Sequence, residues 1–417
     1  MYVTRPLSMY RKSPSSLEIK PPDAPYSGYL VVTDEEADAE DTLCWSSCCG
    51  FCKRKSVKKL PFAQDKILTI VYTSDKHRET TSTNVWFIPV PNQPLSSNCY
   101  FVIRAKGRHK GKACTCSREG DMMKCCFRDF LRDKKPKPLN LRDVYQQVRI
   151  YRHHSGGFFA KSVAPDSLPP KFLRRKGWTV RCSSLNRLQL SEALGLDAPL
   201  RARLPDFNFP IFNVRSPSTL IGKWHCPFPF VRERGMGVKR QMRKSIFYTM
   251  TLEQWWEEIF SCGNINVDSN SSSSTNNNRQ STLGNNNNNN NVVNVNKGVQ
   301  REVYLVGGME GVRDDRSGFS WFKVYNPNGR RGVMSVGLSS AIVEHMRWVL
   351  EEGGWVDGEE RDKEVRVERV EENRSENGWR RFGCYVFVES FLLRRLDGSL
   401  VLKCSFRHTQ RIKCKWE

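Results

Sequence analysis

A tract of Asn, Ser, Thr and Val at residues 264–298 constrains the fold more than any other feature of this chain. Such a composition buries too little apolar surface to offset the entropy of ordering the backbone. We therefore predict a disordered, low-complexity tract that separates a portion at residues 1–263 from a second portion at residues 299–417. The two portions are either separate domains or parts of one domain into which the tract is inserted.

The segment before the tract has the spacing of an amphipathic helix. Thr251 and Gln254 match a capping box, and Gly263 offers a stop. The large apolar residues recur at intervals of three and four positions, which favours a helix over a strand. These residues are Leu252, Trp255, Trp256, Ile259 and Phe260. The pattern predicts a packed helix that ends the first portion.

Short apolar segments between Pro, Asn, Ser and Gly predict strands in both portions. A second amphipathic helix is predicted at residues 338–350, with Gly353 at its end. The predicted strands lie at residues 28–33, 67–72, 85–90, 99–105, 144–151, 301–306, 319–325, 365–370, 385–393 and 399–406. The fold class expected is therefore α+β, with mostly antiparallel β-sheet, a few packed amphipathic helices and a disordered Asn-rich insertion.

Positive charge is concentrated in the first portion. The chain carries a formal net charge of +23. Residues 1–263 contain 44 Lys and Arg against 24 Asp and Glu, whereas residues 299–417 contain 21 against 19. Basic runs stand at residues 106–111, a turn that is expected to close a hairpin onto residues 112–116, and at residues 132–137. A polyanionic partner, either nucleic acid or an anionic membrane surface, is therefore expected to contact the first portion.

Compartment is inferred from what the sequence lacks. Residues 1–20 do not resemble a signal peptide, and no stretch reaches the roughly 18 apolar residues of a membrane span. These features predict a cytoplasmic protein. The alternative locations are a membrane surface, without a span across it, and the nucleus. In such a compartment the 15 cysteines are expected to be free thiols, metal ligands or acylation sites rather than disulfides.

One segment combines thiols, aromatic rings and positive charge. Trp45 and Phe51 stand among four cysteines, and five basic residues follow at once; the residues are Cys44, Cys48, Cys49, Cys52, Lys53, Arg54, Lys55, Lys58 and Lys59. Acyl chains beside a polybasic patch supply the two signals that stable peripheral membrane attachment requires. The segment is our candidate lipidation and membrane-contact site. The alternatives are a buried apolar thiol cluster and a structural zinc site in which Cys49 and Cys52 pair with Cys114 and Cys116.

Catalytic signatures are missing from the sequence. None of the common hydrolase, metalloprotease or phosphate-loop motifs accompanies the seven histidines. His225 stands beside Cys226 between aromatic and proline residues, which is typical of a packed histidine. We predict no catalytic residue, metal or cofactor, and a non-enzymatic binding or scaffold protein. The main alternative is sequence-tolerant nucleic-acid binding by basic and aromatic residues at 172–178 and 232–247. The lesser alternatives are a structural zinc protein and an enzyme of an unrecognised type.

Several long motifs resemble a plant-specific family of uncharacterised proteins. They are MYVTRPLS, LPFAQDK, FIPVPNQPLSSN, GGFFAKSVAPDSLPPKFLRRKGW, LRARLPDFNF, MTLEQWWEEIF and GLSSAIVEHMRW. Members of the family contain a domain of unknown function and are sometimes labelled automatically as insecticidal crystal toxin domain proteins. The resemblance implies a plant origin and supplies no catalytic or ligand-binding positions. No long apolar hairpin suited to pore insertion supports the toxin label.

Overall fold

A computed structural model describes most of the chain. The described residues are 1–42, 55–74, 79–125, 128–188, 190–264, 291–325, 332–356, 363–375 and 378–417. Of these residues, 49% lie in strands and 17% in helices. The described part of the protein is therefore predominantly β.

Twenty-five strands are numbered in chain order. The first thirteen are β1 (Tyr2–Pro6), β2 (Gly28–Val32), β3 (Lys55–Val57), β4 (Lys66–Thr73), β5 (Thr80–Pro89), β6 (Cys99–Arg104), β7 (Ser117–Arg118), β8 (Met122–Cys125), β9 (Arg128–Leu131), β10 (Gln147–Arg152), β11 (Phe158–Ser162), β12 (Ser167–Leu168) and β13 (Thr179–Arg187). The others are β14 (Gly195–Leu196), β15 (Thr219–Pro227), β16 (Val231–Glu233), β17 (Phe247–Gly263), β18 (Val292–Gln300), β19 (Glu302–Val306), β20 (Met309–Arg316), β21 (Phe319–Tyr325), β22 (Gly332–Ser339), β23 (Glu364–Glu372), β24 (Arg381–Arg395) and β25 (Leu400–Trp416).

Helices connect the strands and cover parts of the sheets. The α-helices are α1 (Leu7–Lys12), α2 (Glu35–Thr42), α3 (Lys171–Arg174), α4 (Ala198–Arg203), α5 (Val238–Lys244) and α6 (Ser340–Glu352). Short 3-10 helices lie at Pro14–Glu18, Leu95–Ser97, Glu119–Asp121, Val144–Gln146 and Phe228–Phe230.

The largest sheet has twelve strands. Its order is β16-β22-β21-β20-β19-β25-β24-β17-β15-β1-β2, and β14 pairs with β15 beside this path. All of its pairs are antiparallel except β1 with β2. The long strands β17, β24 and β25 lie side by side at its centre. These three strands therefore connect the two halves of the large sheet.

A seven-stranded antiparallel sheet has the order β11-β10-β6-β5-β4-β13-β3. Its central strand β5 buries Trp86 and Ile88 on one face and Val85 and Phe87 on the other. The first face packs with the large sheet in the main core, and the second forms a separate core around Trp178. Two-stranded ribbons are formed by β12 with β7, β8 with β9, and β18 with β23.

The expected fold class is wrong in its helical part. Four of the six α-helices in the described residues have seven or fewer residues, so they act as corners rather than as layers. Of the two helices predicted to pack on the sheets, α6 is present and buries Ile342, Met346 and Val349. The protein is better described as a mainly β protein, with one large sheet and one smaller sheet packed together.

The helix predicted from Thr251 is the central strand β17. This strand pairs with β15 on one side and β24 on the other, so its backbone hydrogen bonds are used in the sheet. Both of its faces are covered: Trp256 packs with Phe387 on one face, and Trp255 packs with Val388 on the other. Apolar residues on both faces erased the alternation that normally marks a strand. The richness in Thr, Trp, Tyr and Phe was the better signal.

The predicted disordered tract is also too long at its end. Val292–Gln300 forms β18, which pairs residue by residue with β23. Residues 265–290 lie outside the described residues. Strands from both predicted portions join in the large sheet, because β17 precedes the tract and its partner β24 follows it. The division into separate folding units stays a prediction.

The strand predictions are confirmed for most segments. β2, β4, β5, β6, β19, β21 and β23 overlap the predicted ranges, and β10 begins after a short 3-10 turn. The predicted C-terminal hairpin is present as β24 and β25, joined at Asp397 and Gly398. Pro, Asn, Ser and Gly residues separate these strands, and such turn residues can be recognised in the sequence.

Candidate anion-binding site

A tight hairpin turn after β6 presents the first group of basic residues. The backbone N–H of Arg104 donates to the carbonyl of Lys112 over 2.9 Å, and the N–H of Gly111 donates to the carbonyl of Arg104 over 2.7 Å. Gly111 has a φ of +84°, and a Cβ at this position would lie 2.5 Å from Val238 of α5. Glycine is therefore required both by the turn and by the close approach of α5. The hairpin predicted with its turn at residues 106–111 is confirmed.

The basic run at residues 132–137 docks beside this hairpin. Ala113 and Lys137 exchange two backbone hydrogen bonds, of 2.8 and 3.0 Å. Burial lowers the pKa of His109, and the positive charges of Lys112, Arg108, Arg104 and Lys135 lower it further. Charges from both runs thus act on a single imidazole. Two segments that are separate in sequence converge at one place.

Helix α3 joins the same place through Asp133. The Asp133 carboxylate accepts a hydrogen bond from the backbone N–H of Lys171 at 2.9 Å, and Arg174 lies 3.5 Å away. The guanidinium of Arg104 lies 5.3 Å from the ring centroid of Phe172. The first turn of α3 is therefore held against both the hairpin and the second basic run.

Helix α5 adds basic residues from the other side of the hairpin. Burial lowers the pKa of Lys110, and the charge of Arg243 in α5 lowers it further. Arg243 and Lys244 are exposed in the last turn of this helix. We call the converging residues the basic cluster; they are Arg104, Arg108, His109, Lys110, Lys112, Lys135, Lys137, Lys171, Arg174 and Arg243.

Few acidic groups neutralise the basic cluster. Asp133 faces Arg174, and the nearby Asp121 pairs with Lys134 at 2.9 Å. Within the described residues, Arg108, Lys135 and Lys137 are exposed and form no ion pair. A surface with this excess of positive charge attracts polyanions. The cluster is therefore the candidate functional site that the structure supports best.

The described end of the candidate lipidation segment, residues 55–59, lies at a different place. Cys44, Cys48, Cys49, Cys52, Lys53 and Arg54 fall outside the described residues, and Lys55 begins β3. Lys58 and Lys59 are exposed directly after β3. Since β3 ends the seven-stranded sheet, it lies four strands from β6, or about 19 Å at the usual strand spacing. The described end of the segment therefore lies in the same sheet that carries the basic cluster, near its opposite edge.

Two cysteines of the alternative zinc site, Cys114 and Cys116, are part of a core. Cys114 and Cys116 are buried in the core around Trp178. Burial raises the pKa of Cys114 to about 12 and that of Cys116 to about 11, so both thiols are protonated at neutral pH. Metal ligation needs the thiolate, which these surroundings disfavour. Over the described part of the chain, no three His, Cys, Asp or Glu side chains are grouped to hold a metal ion.

His225 is packed, as its sequence context indicated. It is fully buried in β15, and its Nε2 lies 2.8 Å from the carbonyl oxygen of Ser191. Burial lowers the pKa of this imidazole. A histidine that is enclosed in this way cannot contact a substrate, so His225 is a structural residue.

A buried network of charges escaped the sequence analysis. Arg201 of α4 donates two hydrogen bonds of 2.8 Å to the carboxylate of Glu389, and a third of 2.6 Å to the carbonyl of Val349. His408 Nε2 lies 3.0 Å from the same carboxylate. Burial raises the pKa of Glu389, but the hydrogen bonds from His408 and Arg201 outweigh it and hold the pKa below its usual value. The carboxylate is therefore ionised within the core.

This charge network joins structural elements and is closed to substrates. Arg201 and Glu389 are 188 positions apart, so no spacing rule predicts their contact. Trp355 packs edge-on against His408, with ring centroids 5.2 Å apart, and His408 is fully buried. The network links α4, the end of α6, β24 and β25. We assign it a role in stability.

Comparison with known proteins gives limited similarity. Residues 23–127 match the model of a family described as a protein of unknown function (DUF1262). This stretch includes both the candidate lipidation segment and the hairpin of the basic cluster. No curated protein matches the chain. The crystal structure of Cry35Ab1 is similar at 12% identity and a TM-score of 0.43, over 85% of this chain and 90% of that chain.

Among the described residues, no helix is long and apolar enough to cross a membrane.

Proposed function

We propose that this chain is a non-enzymatic binding or scaffold protein of the plant cytoplasm that attaches peripherally to an anionic membrane surface. Two parts would make the contact: the basic cluster, and the segment from Cys44 to Lys59 through its thiols and lysines. The observation that carries the proposal is that two basic runs lie side by side, joined by the backbone hydrogen bonds between Ala113 and Lys137, with α3 held to both through Asp133 and Arg104. The plant origin rests on the sequence motifs alone.

The proposed binding energy comes from many small electrostatic contributions. A basic residue close to an anionic leaflet contributes about 1 kcal/mol, and the contribution falls off within a Debye length of about 10 Å. Four exposed side chains of the basic cluster would then contribute roughly 4 kcal/mol. Acyl chains on cysteines of the segment would add the second, apolar signal that long residence requires.

Nucleic-acid binding is the less favoured candidate, because the aromatic side chains near the basic residues are buried or packed against other side chains. Trp178 is fully buried, and Phe172 is half-buried beneath the guanidinium of Arg104. Single-stranded nucleic acids are usually held by exposed rings on which the bases stack. A membrane surface needs only the charges.

The first experiment compares vesicles with nucleic acid. The purified chain is sedimented with phosphatidylcholine vesicles with or without phosphatidylserine, and separately mixed with a short DNA duplex, between about 50 and 200 mM salt. We expect binding to the phosphatidylserine vesicles only, with release as salt rises. Retention of the duplex without vesicle binding would favour the nucleic-acid alternative, and binding to neither would refute the proposal.

Matched variants locate the contact. Arg108, Lys135, Lys137 and Arg243 are replaced by Gln, and the expected loss of vesicle affinity is on the order of several hundredfold, from about 1 kcal/mol for each charge. The control replaces four exposed basic residues that follow residue 290: Lys297, Lys363, Arg380 and Arg381. An equal loss in both variants would show that only net charge matters, and would contradict a specific site.

The acylation step has its own test. Replacing Cys44, Cys48, Cys49 and Cys52 by Ser is expected to move the protein from the membrane pellet of plant cells to the soluble fraction without unfolding it. Neutralising Lys58 and Lys59 together with the three preceding basic residues is expected to do so partially and in a salt-dependent manner. A wild-type protein that is entirely in the soluble fraction would contradict the attachment.

A further inference from the structure

Two cysteines face each other across the central hairpin. Cys384 of β24 and Cys414 of β25 are directly opposite partners in the antiparallel register. Their thiols are hydrogen-bonded, and this contact lowers the pKa of Cys384 and raises that of Cys414. Both side chains lie in the same apolar cluster, together with Phe382 and Trp416. The two sulfur atoms are therefore neighbours in the folded protein.

The register meets the geometric requirement for a disulfide. Directly opposite residues in an antiparallel pair have Cα atoms about 4.5–5.5 Å apart. Disulfides span Cα separations of about 4.4–6.8 Å. A bond between Cys384 and Cys414 thus needs side-chain rotation and a small approach of the two Cβ atoms, but no change in the strand register.

A third thiol on the same face supplies a natural control. Cys262 of β17 is opposite Phe382, two positions from Cys384 along β24, and it belongs to the same cluster. Diagonal neighbours of this kind are about 7–8 Å apart. Cysteines whose Cα atoms are more than about 7 Å apart cannot be bridged without moving the backbone. The sheet therefore selects Cys414, and not Cys262, as the partner of Cys384.

Access to the pair is one-sided. Cys384 is fully buried, whereas Cys414 is half-buried near the end of the chain's last strand. The ribbon of β18 and β23 covers the cluster with Val293 and Val295, and brings the charges of Arg369 and Glu371 near the thiols. A small reagent therefore reaches Cys414 first.

We propose that Cys384 and Cys414 are a redox-modification site, which a low-molecular-weight disulfide oxidises to a cross-strand disulfide. Cys414 is the thiol that the reagent reaches, and it reacts through its minor thiolate form because the hydrogen bond to Cys384 raises its pKa. That thiolate attacks one sulfur of the small disulfide; an S–S bond forms to Cys414, the S–S bond of the reagent breaks, and one small thiol leaves with the proton lost by Cys414. Cys384 then loses its proton and attacks the Cys414 sulfur, and a second small thiol leaves. The protein loses two electrons and two protons, which the reagent takes up as two thiols.

The disulfide joins β24 and β25, which are neighbouring central strands of the large sheet. It closes a loop that runs from Cys384 through the hairpin turn to Cys414, and it restricts the unfolded chain more than the folded one. Oxidation is therefore expected to raise the melting temperature and to hold the ends of β24 and β25 together. The proposal does not depend on membrane attachment.

The experiment incubates the whole native chain with oxidised glutathione, alkylates the remaining thiols and maps the cysteines by mass spectrometry after proteolysis. We expect a linked pair of peptides that contain Cys384 and Cys414, reversed by dithiothreitol. The control Cys262→Ser should give the same linked pair, whereas Cys384→Ser should carry glutathione on Cys414. The oxidised wild type should melt several degrees higher.

Two results would overturn the proposal. One is alkylation of both Cys384 and Cys414 after oxidation while other thiols of the same sample carry glutathione. The other is linkage of either residue to Cys262. Because the map of the wild-type chain alone gives both answers, a serine variant that does not fold leaves the test intact.

Discussion

Removal of the Glu389 carboxylate tests the buried charge network in the core. In Glu389→Gln, the guanidinium of Arg201 loses an ionic partner that it contacts with two hydrogen bonds of 2.8 Å. The two side chains are 9% and 1% exposed, so water cannot replace the carboxylate. Breaking such a buried pair on one side costs about 3–5 kcal/mol, because an uncompensated charge remains. His408 also loses its partner.

The magnitude is measured by urea unfolding, followed through tryptophan fluorescence at neutral pH. The matched control is Glu368→Gln, because Glu368 lies 3.2 Å from Arg366 with both side chains more than 60% exposed. Exposed pairs contribute about 0–1 kcal/mol. A loss of stability for Glu389→Gln that is no larger than the control's would refute a structural role for the network.

A double variant tests whether the single variants lose stability because each leaves one unpaired charge in the core. Arg201→Met with Glu389→Leu removes both charges and leaves apolar side chains of similar size. Replacement of a whole buried pair is often nearly neutral. We therefore expect the double variant to be more stable than either single variant. If the two single losses simply add, the residues are not coupled and the argument fails.

Two further predictions concern the aromatic core and pH. Trp256→Ala is expected to cost about 3–5 kcal/mol in urea unfolding. Trp256→Phe should cost more than Trp255→Phe, because the Trp256 indole N–H donates to the carbonyl of Pro205 at 3.0 Å, whereas that of Trp255 has no hydrogen-bond partner among the described residues; equal costs would contradict this. Burial lowers the pKa of His345 to about 2. As the pH falls below about 6.5, His345 therefore binds a proton in the unfolded chain but not in the folded one. The free energy of unfolding then decreases by about 1.4 kcal/mol per pH unit. Unfolding midpoints measured from pH 7 to pH 4.5 should show a shallower fall for His345→Leu, and an unchanged slope would refute the assignment.

The sequence allows some elements to be predicted because their environment is one-sided. Helix α6 has a single buried face, so its apolar residues keep a helical spacing. Strand β17 is buried on both faces, and its spacing then reflects which residues are large rather than which face they occupy. Periodicity identifies an element only when one of its sides is polar.

The candidate site was visible only in pieces. The basic runs near Arg108 and Lys135 stand out in the sequence, but their contact depends on the pairing of Ala113 with Lys137. The pairing of Arg201 with Glu389 depends on the order of strands in the large sheet. Long-range contacts of this kind are set by topology, which local patterns do not encode.

The position of β17 in the chain has a consequence for biosynthesis. Its partner β24 is made much later, since the paired residues Gly263 and Arg381 are 118 positions apart. At about 5–20 residues per second, β17 waits roughly 6–24 s on the ribosome without that partner. During this interval a 17-residue strand with two adjacent tryptophans presents an open edge. We therefore expect the yield of folded protein in a cell to depend on how well this edge is protected during translation.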